Sequence, residues 1–331
     1  MINKAEKPLH LVFYVKGADN LAINCKRKES MKLIDHSSGR TRDPWIFYLD
    51  GYFYHCYSHG GGICVNKAKN IEDLATVADY FVYTPQKGKS YSEELWAPEL
   101  HIIDGKCYIY VACDDGNNVN HRMYVLYNDS ADPQSPYKMG GKITDSTDKW
   151  AIDGTVLQYN GKLYFAWSGW EGDINTMQNI YIAEMSDPFT ISSKRVLIST
   201  PTLDWELNGA NGTLGRPYVN EGPVFLTKNG KIYLIYSASG SWCNDYCLGR
   251  LDFKGGDILN AANWVKVPAC QFKKTKEIKG PGHCSFFDKD GKTYMVYHAF
   301  NEDEKFGWSS ADSRVQEITW ENDVPVLGKP E

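Results

Sequence analysis

A short hairpin signal recurs five times along the chain and constrains the fold more than any other feature. Each copy is an Asp-Gly or Asn-Gly pair with a tyrosine three residues after the glycine, and the copies are Asp50-Gly51, Asp104-Gly105, Asn160-Gly161, Asn229-Gly230 and Asp290-Gly291. Such pairs suit a two-residue type I′ turn, because both turn residues must adopt a positive φ. The segments that follow the turns, such as residues 108–112 and 233–236, are apolar or alternating and therefore predict strands.

This repeat predicts an all-β protein with the architecture of a five-bladed β-propeller. The copies recur at intervals of roughly 54 to 69 residues, and no segment of similar length has the pattern of an amphipathic helix. Equal β units at such a period are typical of blades arranged around an axis. A β-sandwich with chance turns is the alternative, but the shared offset from glycine to tyrosine favours the propeller. We expect the propeller to span residues 38–331 and the N-terminal segment, residues 1–37, to pack on it.

Composition and charge exclude several classes of function. The formal net charge is −5 and there is no basic stripe, so we expect no nucleic-acid partner. No stretch approaches the roughly 18 consecutive apolar residues of a membrane span, so we expect no membrane partner either.

The nine cysteines are an odd number, and those in predicted strands are expected to be buried free thiols. Cys243 and Cys247 are close enough in sequence to allow a local disulfide. We expect a monomer.

Acidic residues recur at equivalent places in the repeat. The positions seven residues before the turns are Asp43, Ala97, Asp153, Gly222 and His283, with Glu221 and Glu99 close by. In a propeller the first strands of the blades start at one mouth of the central channel. We therefore expect the carboxyl groups of Asp43, Asp153 and Glu221 to converge in one cavity. A helix or turn cap, or a pair with arginine, would explain one such acid, but three in equivalent places favour a functional site.

A cluster of three carboxyl groups suits the hydrolysis of a glycosidic bond. One carboxyl group protonates the departing oxygen, and in an inverting enzyme a second, ~6.5–9.5 Å away, activates water on the opposite face. A third carboxylate nearby raises the pKa of the acid by like-charge repulsion and keeps it protonated near neutral pH. The repeat alone does not assign these three roles to particular residues.

The motifs at the strand starts resemble, in order, those of glycoside hydrolase family 43. They are Arg42-Asp43-Pro44-Trp45, Trp96-Ala97-Pro98-Glu99, Ala151-Ile152-Asp153-Gly154, Asn220-Glu221-Gly222-Pro223 and Gly280-Pro281-Gly282-His283. The resemblance covers roughly residues 42–328. It implies a five-bladed propeller of inverting glycosidases. The sequence has no phosphate loop, dinucleotide fingerprint or zincin helix, so we expect that no cofactor is required. It also implies that Asp43 is the general base, Asp153 the pKa modulator and Glu221 the general acid.

Further segments resemble the α-L-arabinofuranosidase branch of that family, including exo-acting enzymes on α-1,5-arabinan. These segments are residues 148–156, 167–173, 196–201 and 236–240. The implied substrates are arabinan, arabino-oligosaccharides or the arabinose side chains of arabinoxylan. A β-xylosidase or an endo-arabinanase on the same scaffold is the alternative. A non-catalytic carbohydrate-binding propeller is an alternative of another class, which the loss of one acid would support, and none is lost.

The resemblance also suggests residues around the three acids. It places His283 where many members have a central calcium ion, held through water, and it gives Arg314 a contact with a sugar hydroxyl. We further expect Trp96 and Trp170 to line the sugar pocket and Glu99 to take part in substrate binding. A polymeric substrate favours secretion, but the sequence shows no clear signal peptide, so the compartment is not determined.

Overall fold

The computed structural model describes residues 31–301 and 310–330, and this part of the chain is all-β. Its helices are short 3-10 turns, at His36–Ser38, Ile71–Ala75, Asn118–Asn120, Asp204–Glu206 and Ala261–Asn263. None of the helices in these two ranges has the length and apolar character needed to traverse a membrane. Most of the N-terminal segment predicted at 1–37 lies outside the described residues.

The strands form successive antiparallel groups, called units here. Strand β1 (Met31–Ile34) comes first and pairs with the last unit. The first unit contains β2 (Trp45–Leu49), β3 (Tyr52–His59), β4 (Gly62–Ala68) and β5 (Phe81–Tyr83). The second contains β6 (Glu93–Ile103), β7 (Lys106–Asp114), β8 (Arg122–Tyr127) and β9 (Lys138–Ile143). The third contains β10 (Ala151–Tyr159), β11 (Lys162–Gly169), β12 (Met177–Asp187), β13 (Thr190–Ile191) and β14 (Val196–Ser199).

The remaining strands form two more units. The fourth contains β15 (Tyr218–Lys228), β16 (Lys231–Ala238), β17 (Cys247–Phe253) and β18 (Trp264–Lys266). The fifth contains β19 (Ile278–Lys289), β20 (Lys292–Asn301), β21 (Asp312–Glu321) and β22 (Val324–Val326), with β1 on the other edge of β21. A short parallel pairing between β12 and β15 joins the third and fourth units into one nine-stranded sheet.

The five predicted hairpins are confirmed. In every one the Asp or Asn and the following Gly both have a positive φ, between 47° and 83°. The flanking residues pair across the two-residue turn, as Leu49 does with Tyr52 and Tyr159 with Lys162. These are the type I′ turns that the sequence favours, and they connect the first and second strands of each unit.

The starts of the first strands share an unusual backbone conformation. Asp43, Ala97, Asp153, Gly222 and His283 all have a positive φ, between 43° and 55°. In the second to fifth units the strand register also shifts beside this residue, as in a β-bulge. A bulge bends the strand and redirects the side chain at its start. The sequence repeat therefore marks five equivalent positions of positive φ, four of which lie at a bulge.

The first strands of the units contact one another in succession. Strand β2 contacts β6, β6 contacts β10, β10 contacts β15, β15 contacts β19, and β19 contacts β2. Apolar side chains fill the spaces between neighbouring units, and one such cluster joins the first unit to the fifth through Ile46, Phe53, Phe287 and Val296. The five strand starts consequently lie close together.

The cysteines that the sequence placed in strands are buried free thiols, as predicted: Cys56, Cys107, Cys113 and Cys284. Cys243 and Cys247 are also free, so the local disulfide that their spacing allowed is not formed.

Candidate active site

One cavity of about 420 Å³ opens at the starts of the first strands. The structure brings Asp43, Asp153 and Glu221 together in its wall, although they come from the first, third and fourth units. Asp153 and Glu221 are 3% and 8% exposed, and the Asp43 side chain is 26% exposed. The positive φ at Asp43 and Asp153, and at Gly222 beside Glu221, is the local feature that places these side chains at the cavity.

Asp43 is held by two histidines. Its Oδ1 atom lies 3.1 Å from Nδ1 of His283 and 3.4 Å from Nδ1 of His298. Burial opposes ionisation of Asp43, but the His283 and His298 contacts and the charge of Arg42 outweigh it and hold the pKa of Asp43 well below its usual range. Burial also lowers the pKa of both histidines, so each ring is neutral near pH 7, and Nδ1 of His298 accepts the backbone N–H of Asp43 at 3.3 Å.

Glu221 has the opposite behaviour. Burial raises its pKa to about 7, and the negative charge of Asp43 adds to that increase. The hydroxyl of Tyr246 donates a hydrogen bond of 2.7 Å to Oε1 of Glu221, which limits the increase because it favours the carboxylate. Glu221 therefore keeps its proton over much of the pH range in which Asp43 has lost its own.

Asp153 lies beside both of these acids. Its Oδ2 atom accepts a hydrogen bond of 3.0 Å from the backbone N–H of Gly222, the residue that follows Glu221. Burial, together with the charges of Glu221 and Asp43, raises the pKa of Asp153 well above its usual value. Ionisation of Glu221 therefore disfavours ionisation of Asp153.

Tryptophan rings form part of the cavity wall. Trp96 lines the cavity as expected, with its ring stacked on His121 at a centroid distance of 4.1 Å. Trp170 is 4% exposed and does not line the cavity. Its backbone N–H donates to the carbonyl of Trp150, and its ring stacks behind the Trp150 ring at 4.7 Å. Trp150 therefore occupies the place that we expected Trp170 to have.

Two other residues expected at the site lie away from the cavity surface. Glu99 is buried on β6, with Oε2 2.9 Å from Nε2 of His101, and burial raises its pKa well above the usual value. Arg314 lies on β21, where its guanidinium donates to the side chain of Asn301 and lies 3.9 Å from Asp312. Neither side chain is part of the cavity wall.

Sequence reasoning missed Trp150, Tyr246 and His298, and it gave Arg42 no role. For His298 a signal was present. Eight residues after the turn Asp or Asn, the first four repeats have only small side chains, Ser58, Ala112, Ser168 and Ser237, whereas the fifth has His298. Tyr246 lies between β16 and β17, in a segment with no counterpart in the repeat, so nothing in the pattern indicates it.

The described residues contain no group of three or more His, Cys, Asp or Glu side chains that could hold a metal ion. The imidazole of His283 instead contacts Asp43 through Nδ1. The water-mediated calcium site expected at His283 stays a prediction, and no chemical step below depends on it.

Comparison with known proteins agrees with this geometry. The family model described as glycosyl hydrolases family 43 matches residues 37–325. An extracellular exo-α-(1→5)-L-arabinofuranosidase of Streptomyces avermitilis is 35% identical over 88% of this chain and 62% of its own length. An enzyme of the same description from Streptomyces chartreusis is 31% identical, over 78% of this chain and 79% of its own.

Solved structures give the same result. The crystal structure of an α-L-arabinofuranosidase from Lactobacillus brevis has a TM-score of 0.81 and 33% identity, and covers 92% of this chain and 97% of its own. This chain spans only about three fifths of the Streptomyces avermitilis relative. The family match nevertheless extends over nearly the whole described region, and the chain belongs to glycosyl hydrolases family 43.

Proposed function

We propose that this protein is an inverting α-L-arabinofuranosidase with Asp43 as general base, Glu221 as general acid and Asp153 as modulator of the acid's pKa. One observation carries the proposal: Asp43 and Glu221 share a cavity in which their pKa values move in opposite directions. Two carboxyl groups whose pKa values differ in this way are the usual general acid and general base in the hydrolysis of a glycosidic bond.

The architecture that we infer is a five-bladed propeller, with each unit as one blade. Its support is the succession of contacts from β2 through β6, β10, β15 and β19 back to β2. The five positive-φ positions at the starts of these strands would then surround the mouth of one axial channel. This explains how residues far apart in sequence can act on one bond.

In the proposed reaction Asp43, as carboxylate, removes a proton from a water molecule. The oxygen of that water forms a bond to the anomeric carbon as the glycosidic bond breaks, and Glu221 gives its proton to the departing oxygen. The two carboxyl groups end with exchanged protonation states, so a proton must return from Asp43 to Glu221 through solvent before the next turnover. We assign Asp153 the role of modulator because it lies beside Glu221, where the charge on either acid disfavours ionisation of the other.

The substrate that we propose carries terminal α-L-arabinofuranosyl residues, as in arabinan or arabino-oligosaccharides. The Streptomyces and Lactobacillus brevis relatives, named for arabinofuranosidase activity, support this choice. Trp96 and Trp150 would face the sugar, because both line the cavity. Trp242 and the 71% exposed Leu214 also line it and are suited to contact the rest of the chain. Such a substrate, and the extracellular relatives, favour a secreted enzyme, which we propose acts as a monomer.

A substrate panel tests this proposal directly. The protein should hydrolyse aryl α-L-arabinofuranosides faster than aryl β-xylosides and should release arabinose alone from linear arabinan. Faster cleavage of β-xylosides would favour a β-xylosidase, and oligosaccharides released from the middle of arabinan would favour an endo-arabinanase. Binding of arabinan without hydrolysis of any substrate would indicate a carbohydrate-binding protein and contradict the proposal.

A further inference from the structure

The residue that hydrogen-bonds the proposed acid comes from outside the repeated motifs. Tyr246 ends the segment between β16 and β17 and is 1% exposed. Its hydroxyl donates to Oε1 of Glu221 at 2.7 Å. Burial raises the pKa of Tyr246 well above its usual value, so the hydroxyl stays a neutral donor near neutral pH. Since a hydroxyl has one hydrogen, this bond leaves the other carboxyl oxygen of Glu221 to carry the acid's proton.

The ring of Tyr246 also connects to the proposed base. It lies parallel to the imidazole of His298, with an interplanar angle of 1° and 5.6 Å between ring centroids. The Nδ1 atom of His298 lies 3.4 Å from Oδ1 of Asp43 and accepts the backbone N–H of Asp43 at 3.3 Å. One side chain therefore contacts Glu221 by its hydroxyl and, by its face, the histidine that supports Asp43.

The protein is built to hold this ring in place. A Cβ atom added to Gly282 would lie 2.4 Å from Cε1 of Tyr246, so only glycine at 282 leaves room for the ring. The segment that carries Tyr246 is tied to the fifth unit because the N–H of Gly280 donates to the carbonyl of Asn244 at 2.9 Å. The N–H of Tyr246 itself donates to the carbonyl of Cys243 at 3.3 Å. Ring and hydroxyl are thus fixed before any substrate binds.

We propose that Tyr246 is a positioning residue that aligns the acid Glu221 with the base Asp43, through its hydroxyl on one side and His298 on the other. This inference rests on the proposed function for the roles of Glu221 and Asp43. The titratable and charged groups around Glu221 are Tyr246, Asp153 of β10, and Asp43 and Arg42 before β2. His283 of β19 lies against the neighbouring Gly222. Of these, Tyr246 is the one that hydrogen-bonds the Glu221 carboxyl group directly.

Tyr246→Phe tests the hydroxyl and keeps the ring. The lost hydrogen bond favoured the ionised form of Glu221, so its loss raises the pKa of Glu221. An acid must be protonated to act, and activity falls as pH rises through its pKa. The alkaline limb of the pH profile of kcat/KM should therefore shift to higher pH by about one unit, which corresponds to a tenfold change in the ionisation equilibrium of Glu221.

Tyr236→Phe is the matched control. Tyr236 is also a fully buried tyrosine, and its hydroxyl donates to the carboxylate of Glu206 at 2.8 Å, away from the cavity. This variant should lose thermal stability about as Tyr246→Phe does and leave the alkaline limb in place. An unmoved limb in Tyr246→Phe, or an equal movement in both variants, would overturn the inference.

Tyr246→Leu tests the ring. With activated aryl arabinofuranosides, which need little acid assistance, Tyr246→Phe should retain most of its rate. Tyr246→Leu should be slower by roughly tenfold because His298, and with it Asp43, loses its support. Equal rates for the two variants would contradict the proposed role of the Tyr246 ring in positioning His298 and Asp43.

A titration without substrate separates this inference from the proposed function. In protein labelled with ¹³C at glutamate carboxyl groups, the resonance absent from Glu221→Gln belongs to Glu221. Its midpoint should lie higher in Tyr246→Phe than in wild type, whatever the protein hydrolyses. An identical midpoint contradicts the inference, whereas inactivity of wild type on every arabinofuranoside contradicts only the proposed function.

Discussion

Neighbouring groups give two carboxyl groups of one cavity opposite tendencies to ionise. Asp43 contacts two histidines that favour its carboxylate, whereas Glu221 is buried beside the negative charge of Asp43. Burial raises the pKa of both groups, so the opposite outcome comes from their hydrogen-bond partners and nearby charges. At the scale of the residue, the proposed division of labour follows from these contacts.

Replacing each acid by alanine should separate their roles. Glu221→Ala should lower kcat by about 10²–10⁴-fold on oligosaccharides, whose leaving groups need a proton, and much less on activated aryl arabinofuranosides. Asp43→Ala should lose activity on both kinds of substrate, because water must be activated in either case. Steady-state kinetics on the two substrates checks this, and an equal loss for Glu221→Ala on both would contradict its role as the acid.

The raised pKa of Glu221 also predicts how stability depends on pH. A carboxyl group whose pKa is higher in the folded than in the unfolded protein stabilises the fold fully at low pH. That contribution is lost as pH rises through the folded value of about 7. The glutamine in Glu221→Gln cannot ionise. At pH 9 the free energy of unfolding of this variant should therefore exceed that of wild type by on the order of 3 kcal/mol, and its melting temperature should be higher.

Glu206→Gln is the control, because it should change the stability at pH 9 in the opposite direction. Glu206 pairs with Lys266 at 2.8 Å, and despite burial this partner lowers the pKa of Glu206. Its replacement should therefore destabilise the protein at pH 9. Thermal melts of both variants at pH 5 and pH 9 give the comparison, and a lower melting temperature for Glu221→Gln at pH 9 would refute the assigned shift.

Bulged strand starts are the feature that matters at the scale of the element. Gly222 has a φ of +53°, and a Cβ atom there would lie 3.2 Å from Nδ1 of His283. Gly230, in the hairpin of the same unit, has a φ of +79° with no atom within 4 Å of such a Cβ. Both alanine variants should lose about 1–2 kcal/mol of stability through the left-handed backbone.

Only Gly222→Ala should also lose activity, because it pushes on the histidine that contacts Asp43. Denaturation curves and kcat for the two variants measure the two effects separately. Equal activity in both variants would show that the bulge at Gly222 does not position His283.

The elements also show which parts of the protein a pattern can predict. Turn chemistry is local, so the five hairpins and the strands after them were predictable from Asp-Gly and Asn-Gly pairs. Counting back one strand length found Asp43 and Asp153 because the repeat keeps its register. The sequence could not show whether the Trp170 ring faces the cavity, because its position depends on stacking against Trp150, which belongs to another loop. Tyr246 belongs to a connection whose path depends on tertiary contacts alone.

At the scale of the whole molecule, the first and fifth units must meet for the acids to converge. Phe53 of the first unit and Phe287 of the fifth are in edge-to-face contact, with 5.4 Å between ring centroids. Phe287→Ala should cost about 3–5 kcal/mol, as is usual for a buried phenylalanine. Phe81→Ala, at a ring that is 49% exposed, should cost far less. Urea unfolding compares the two, and similar losses would contradict a structural role for this contact.

The central claim is that Asp43 and Glu221 act from opposite faces of one sugar, and the configuration of the product tests it most directly. Proton NMR of the first arabinose released from an aryl α-L-arabinofuranoside, recorded before mutarotation, should show the β-anomer. Initial release of the α-anomer would mean retention of configuration. That result would contradict direct attack by a water molecule activated by Asp43.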